Sequence, residues 1–104
     1  MRKIKREDKF YVYIVRCQDG TYYTGYTPDI ENRLRLHNAG KGAKYTRARL
    51  PVVLVWSKKY CQFKSAFKTE IAIKQLTRLQ KEALVGGKRL DKVLKQAKRH
   101  EKTK

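Results

Sequence analysis

Acidic residues are scarce in this chain of 104 residues: nine Asp and Glu stand against 27 Lys and Arg, a formal charge of +18. The basic residues run the whole length, so the field favours a polyanion. Nucleic acid leads, because each neutralised phosphate releases counterions and adds sequence-independent affinity. An anionic membrane surface would call for an amphipathic helix with Trp or Phe on its apolar face. The single Trp, Trp56, instead closes the strand-like "VVLVW", and no membrane partner is expected. Long apolar runs are also lacking: nothing approaches the roughly 18 residues of a membrane span. The start, "MRKIKREDKF", has no apolar signal-peptide core, so the expected location is the cytoplasm. Cysteine is limited to Cys17 and Cys61, too few for a disulfide framework and without the spacing of a metal knuckle. Both are read as buried thiols, with a disulfide as the alternative. The length suits one domain, divided here into a basic arm over 1–9, a domain over 10–86 and a basic helix or tail over 87–104.

What is present begins with phenols. Residues 10–17 and 21–27 are rich in Tyr, Val, Ile and Thr, and "QDG" between them signals a hairpin turn. "TPDIENRLRLHNAGKG" reads as a helix with Thr27 as N-cap, Pro28 in its first position and Gly40 as the stop, with Ile30 and Leu34 facing the core. "KGAKYTRARLP" reads as a loop carrying Lys41, Lys44, Arg47 and Arg49, and delivers the chain into "VVLVW", a run typical of a central strand. A longer helix is expected from about Ser65, as N-cap, to about Leu84, with Ala66, Ile73, Leu76, Leu79 and Ala83 inward. "VGG" ends it, and Leu90, Val93, Leu94 and Ala97 mark an optional C-terminal helix fraying into a basic tail. The expected fold is α+β: a three-stranded β-sheet, hairpin plus one central strand, packed by helices in the order ββαβα.

The hairpin admits two registers. A two-residue Asp19-Gly20 turn, the commonest kind, sets Cys17 opposite Tyr22 and puts Tyr13 and Tyr23 on opposite faces. A three-residue loop, with Gly20 in the left-handed conformation, sets Val15 opposite Tyr23 and Tyr13 opposite Gly25. That second register gathers Tyr11, Tyr13, Tyr23, Gly25 and Thr27 on one face and leaves room at Gly25 for a ligand or another backbone. Arg33 and His37, four apart, share a helix face and can reach the same patch. Taken singly, each has an ordinary explanation: tyrosines that suit strands, a solvated Arg33, a His37 at a helix C-terminus, and a Glu70 paired with Lys74 at i, i+4. A convergence of all of them has no such explanation.

With "YVY" at 11–13, "YTG" at 23–25, a helical Arg and a Glu on the next long helix, the sequence resembles the GIY-YIG nuclease superfamily over about residues 10–84. "RLRLHNAGKGAKYTRARLPVVLVW" is especially similar to small stand-alone bacterial members. The resemblance implies a metal-dependent phosphodiesterase related to homing endonucleases, the incision domain of nucleotide excision repair and structure-specific resolvases. By the same resemblance, Tyr13, Tyr23, Arg33, His37 and Glu70 are the catalytic candidates. Tyr13 would deprotonate a water, assisted by His37; Arg33 would hold the phosphate, and Glu70 would carry one Mg²⁺ or Mn²⁺. Gly25, Lys41, Lys44, Arg47 and Arg49 are the candidates for binding substrate, and dense positive charge together with a bound cation is expected to favour the Tyr13 phenolate.

The first motif lacks its initial Gly, and residues 80–88, "QKEALVGGK", lack the Asn that many active relatives carry beyond the Glu. DNA is the expected partner ahead of RNA. The alternatives are a non-cleaving nucleic-acid-binding module that retains the fold and, more weakly, an RNA-associated structural protein.

Overall fold

The computed structural model of the chain describes residues 9–102. All but the last residue of the 1–9 arm therefore lies outside the described residues. Strands β1 (Phe10–Arg16), β2 (Tyr22–Thr27) and β3 (Val53–Tyr60) form one antiparallel sheet, joined by helices α1 (Ile30–Asn38), α2 (Lys44–Arg47), α3 (Phe63–Lys74), α4 (Arg78–Val85) and α5 (Leu90–Lys102). The expected α+β layout holds.

The hairpin takes the three-residue loop. Tyr13 pairs with Gly25 and Val15 with Tyr23, the Cys17 amide donates to the Thr21 carbonyl at 2.8 Å, and Gly20 turns the chain at φ 87°. The Asp19 carboxylate accepts from the Thr21 amide at 3.0 Å and from its hydroxyl at 2.7 Å, which ties the loop down.

The sheet order is β2-β1-β3, so the third strand lies at an edge and β1 is central. Four consecutive buried residues, Val12 to Val15, mark β1 as a strand covered on both faces. In β3, Val53 is 52% exposed. An apolar run does not encode how many neighbours a strand has; here Lys58 and Lys59 on β3 blunt the open edge.

Three further boundaries differ from expectation. Helix α1 starts two residues late because Asp29, rather than Thr27, accepts from the Asn32 amide as N-cap. The basic loop contains the single turn α2. The long helix is two: α3 starts after Gln62, and the chain breaks at Gln75 to Thr77, where Thr77 and Gln80 form a reciprocal capping box for α4. Leu76 stays buried in the break, whereas Leu79 beyond it is turned outward, 77% exposed. Cys61 is exposed and Cys17 buried, both as free thiols, which corrects the expectation of two buried ones.

Two cores sandwich the sheet. On one face Val12 and Ile14 meet Ala66 and Ile73 of α3, Leu84 of α4 and Val93 of α5, with Leu90, Leu94 and Ala97 packed alongside. On the other, Tyr13, Val15, Cys17 and Val52 pack with Tyr23 and with Ile30 and Leu34 of α1. Asn38 locks α1 to the start of β3: its side chain donates to the Val52 carbonyl at 3.1 Å and accepts from the Val52 amide at 2.7 Å.

Candidate active site

Period-two alternation in the observed register puts Tyr13, Tyr23 and Gly25 on the α1 side of the sheet, and helical spacing puts Arg33 and His37 on the α1 face that meets them. The tyrosine hydroxyl of Tyr13 lies 2.9 Å from His37 Nε2. Arg33 Nε donates to the same hydroxyl oxygen at 3.4 Å. The Tyr23 ring stands edge-on to His37 at 5.6 Å between centroids and stacks on Tyr45 at 6.1 Å.

His37 is fully buried, and so is Thr46 of α2. Their hydrogen bonds define a direction. The Thr46 hydroxyl donates to the Ala43 carbonyl at 3.0 Å, an atom that can only accept. With that proton committed, the contact of 2.9 Å between His37 Nδ1 and Thr46 Oγ1 requires Nδ1–H as donor. A neutral imidazole protonated on Nδ1 has a bare Nε2, so Tyr13 donates to His37. Burial, with the Arg33 charge beside it, pushes the His37 pKa down and keeps the ring neutral.

Burial likewise raises the Tyr13 pKa, outweighing the Arg33 hydrogen bond and charge that pull it down; Tyr23 and Glu70 add to the rise. Desolvation of the phenol outweighs the neighbouring Arg33 charge, so positive charge nearby does not by itself favour the phenolate. Arg33 is held more firmly protonated by its hydrogen bond to Tyr13, with Tyr23 contributing.

Two glycines make the cluster fit. A Cβ on Gly25 would stand 2.7 Å from the Tyr13 hydroxyl, so the room at this position is filled by Tyr13 itself rather than left for a ligand. A Cβ on Gly42 would collide with the His37 ring. Gly42 and Thr46 were not among the sequence candidates. The loop's spacing gives no sign of either, because both act on His37 only after α2 has folded back over α1.

Glu70 is 8% exposed on α3 and close enough for its charge to bear on Tyr13. Lys74 Nζ lies 3.1 Å from its Oε2, so the ordinary i, i+4 pair is present as well. Among the described residues no three His, Cys, Asp or Glu side chains cluster as a metal cage. A lone buried carboxylate fits an ion such as Mg²⁺, which keeps most of its waters and takes one or two carboxylates plus substrate oxygens. Of the basic candidates, Lys41, Lys44 and Arg47 are exposed. Arg49 is engaged: it pairs with Asp19 at 3.0 Å, donates to the Tyr45 carbonyl at 2.7 Å and lies 3.9 Å over the Tyr45 ring. A groove of about 820 Å³ between α3 and α5, lined by Lys68, Ala72, Leu76, Leu94 and Lys95 among others, includes none of the cluster.

The GIY-YIG catalytic domain matches residues 9–83, a span that holds the two sheet tyrosines, Arg33 on α1 and Glu70 on α3. The chain belongs to the GIY-YIG family, a nuclease family whose substrates are nucleic acids. Within it the chain is similar to UPF0213 proteins. It is 54% identical to one from Halobacterium salinarum over 74 residues, which are 71% of this chain and 96% of the relative. It is 49% identical to one from Streptococcus pneumoniae over 76 residues, 73% of this chain and 77% of the relative. The solution NMR structure of a UPF0213 protein from Bacillus halodurans is similar at 42% identity and a TM-score of 0.52, over 84% of this chain and 93% of that one. A solution NMR structure from E. faecalis gives 43% and 0.54, over 83% and 88%.

Proposed function

We propose that the chain is a metal-dependent endonuclease that hydrolyses phosphodiester bonds in DNA, with branched or damaged DNA as its substrate class. The observation that carries this is the directed chain from the Tyr13 hydroxyl through His37 and Thr46 to the Ala43 carbonyl. A water attacking phosphorus must lose a proton. Tyr13 accepts it on its oxygen while passing its own proton to His37 Nε2, so no resting phenolate is needed. Thr46 holds the Nδ1–H in place, and the resulting imidazolium, disfavoured by burial and by Arg33, returns its Nε2 proton to the Tyr13 oxygen as Tyr13 releases the proton taken from the water to solvent. Arg33, drawn to both tyrosines, is placed to neutralise the phosphoryl oxygens. A divalent ion, Mg²⁺ or Mn²⁺, would be held by Glu70, waters and substrate oxygens, and would stabilise charge on the transferring group.

A second reading, binding without cleavage, is favoured by the Lys74 ammonium on Glu70 and by the absence of an Asn in 80–88. Only the Lys74 end of the pair is half-exposed, while Glu70 is buried, and a divalent ion that takes a carboxylate oxygen competes with Lys74 for it. The test is cleavage of labelled branched, single-stranded and duplex DNA with Mg²⁺ or Mn²⁺, comparing the native chain with Glu70→Ala and Arg33→Ala. Product that needs metal and disappears in both variants supports the nuclease. Tight, salt-sensitive binding without product replaces it with the second reading.

A further inference from the structure

Outside the catalytic cluster, α3 and β2 expose rings that the reaction does not use. Phe63 is 45% exposed, Phe67 44% and Tyr26 38%. Phe63 stacks on Phe67 with centroids 5.6 Å apart and planes 21° from parallel. Tyr26 and Phe10 both stand edge-on to Phe63, at 5.5 and 5.8 Å between centroids. These rings therefore form a continuous ledge on the molecule's surface. Their neighbours on α3 are informative. At about 100° per residue, the buried stripe of Ala66 and Ile73 is followed around the helix by Glu70, then by Phe63, Lys74 and Phe67, then by the exposed Ile71, Lys64 and Lys68. Glu70 is the one acidic residue of α3.

We infer that this ledge binds unpaired bases of a single-stranded nucleic-acid segment. Phe67, stacked on Phe63 through one face and 44% exposed, leaves its second face for a base, and Lys64 and Lys68 run parallel to the rings where the phosphates would pass. Charge decides the occupant: a purely apolar protein partner has no use for a lysine stripe on a chain of formal charge +18, whereas a strand with bases on one side and phosphates on the other matches both. Duplex DNA, with its bases already stacked internally, gains only from the lysines.

The placement of the ledge relative to the cut rests on the nuclease reading; the stacking itself does not. Phe67 is one helical turn from Glu70, about 5 Å along the axis. Stacked nucleotides rise roughly 3.4 Å each, so the ledge meets bases within about one to three nucleotides of a phosphate at Glu70. Substrates with a flap, a frayed end or an unpaired junction strand would thereby be selected over intact duplex.

The experiment is fluorescence-anisotropy binding, without divalent metal, of short oligothymidylate, its ribonucleotide counterpart and a blunt duplex. The native chain is compared with Phe67→Leu, which keeps apolar bulk and loses the aromatic face, and with Phe67→Trp, which keeps it. Leucine should weaken both single-stranded ligands about tenfold, tryptophan should restore them, and duplex binding should stay unchanged. The DNA and RNA arms show which strand is held more tightly. Equal single-strand affinity in Phe67→Leu and the native chain, or equal losses for single strand and duplex, overturns the inference. Because no cleavage is read, a selective loss upholds the ledge even if the chain proves unable to cut, and a nuclease without that loss keeps its activity and loses the ledge.

Discussion

Replacing Thr46 by Val separates the proton relay from the packing around it. Valine fills nearly the same volume but removes the oxygen that lies 2.9 Å from His37 Nδ1 and 3.0 Å from the Ala43 carbonyl. His37 is fully buried, so its Nδ1–H would be left without a partner, at a cost of about 1–3 kcal/mol. For a domain of this size each kcal/mol is worth about 4–8 °C of melting temperature, so a drop of about 10 °C is expected. The imidazole can escape part of that cost by moving its proton to Nε2 and donating to Tyr13. That reverses the bond on which base catalysis depends, and cleavage should fall about a hundredfold or more. Thr46→Ser, which keeps the hydroxyl, should recover the rate while losing about 1 kcal/mol of stability to the missing methyl. Nitrogen-15 NMR of the His37 ring reads the tautomer directly, beside melting and cleavage. A valine variant that keeps the Nδ1–H tautomer and cleaves at the native rate would refute the relay.

Other consequences are equally open to measurement. Gly25→Ala sets a Cβ 2.7 Å from the Tyr13 hydroxyl; overpacking should cost about 1–3 kcal/mol and displace the ring from His37, so native melting and native activity together would contradict the close fit. His37 has a lowered pKa in the fold, so below the ordinary value of about 6.5 the unfolded chain binds the additional proton. Its contribution to stability is thus complete above that pH and is lost as pH falls from there through the folded value; a His37→Gln variant should lack this acid limb in melting curves, and an identical limb would count against it. Lys44→Ala and Arg47→Ala should each reduce the slope of log affinity against log salt by about 0.9 if the side chain touches a phosphate, and an unchanged slope leaves that side chain as a solvated charge.

Much of this could be read from the chain because local chemistry dictated it. The two hairpin registers stayed open, because Gly20 accepts a positive φ in either turn; the negative φ of Asp19 and the pairing of Tyr13 with Gly25 select the three-residue loop, which carries Tyr13, Tyr23 and Gly25 to one face. Arg33 and His37 followed from helical spacing. The break between α3 and α4 was hidden because Leu76 continues the apolar rhythm through it, while the Thr77 and Gln80 box that starts the next helix lies in an unremarkable polar stretch. The edge position of β3 was hidden because strand order is a property of the whole sheet. Thr46 and Gly42 reach His37 through a turn whose course depends on tertiary packing. The neutral state of Tyr13 is a matter of burial, which residue spacing does not report.

Proton transfer at this site turns on one oxygen atom. Tyr13→Phe keeps the buried ring and removes only the hydroxyl that Arg33 and His37 share. Single-turnover cleavage of branched DNA in saturating Mg²⁺ should fall by about 10²–10⁴, with substrate affinity retained. Cleavage by the Phe variant at the native rate, with the same metal requirement, would contradict the assignment of Tyr13 as the group that takes the proton from water.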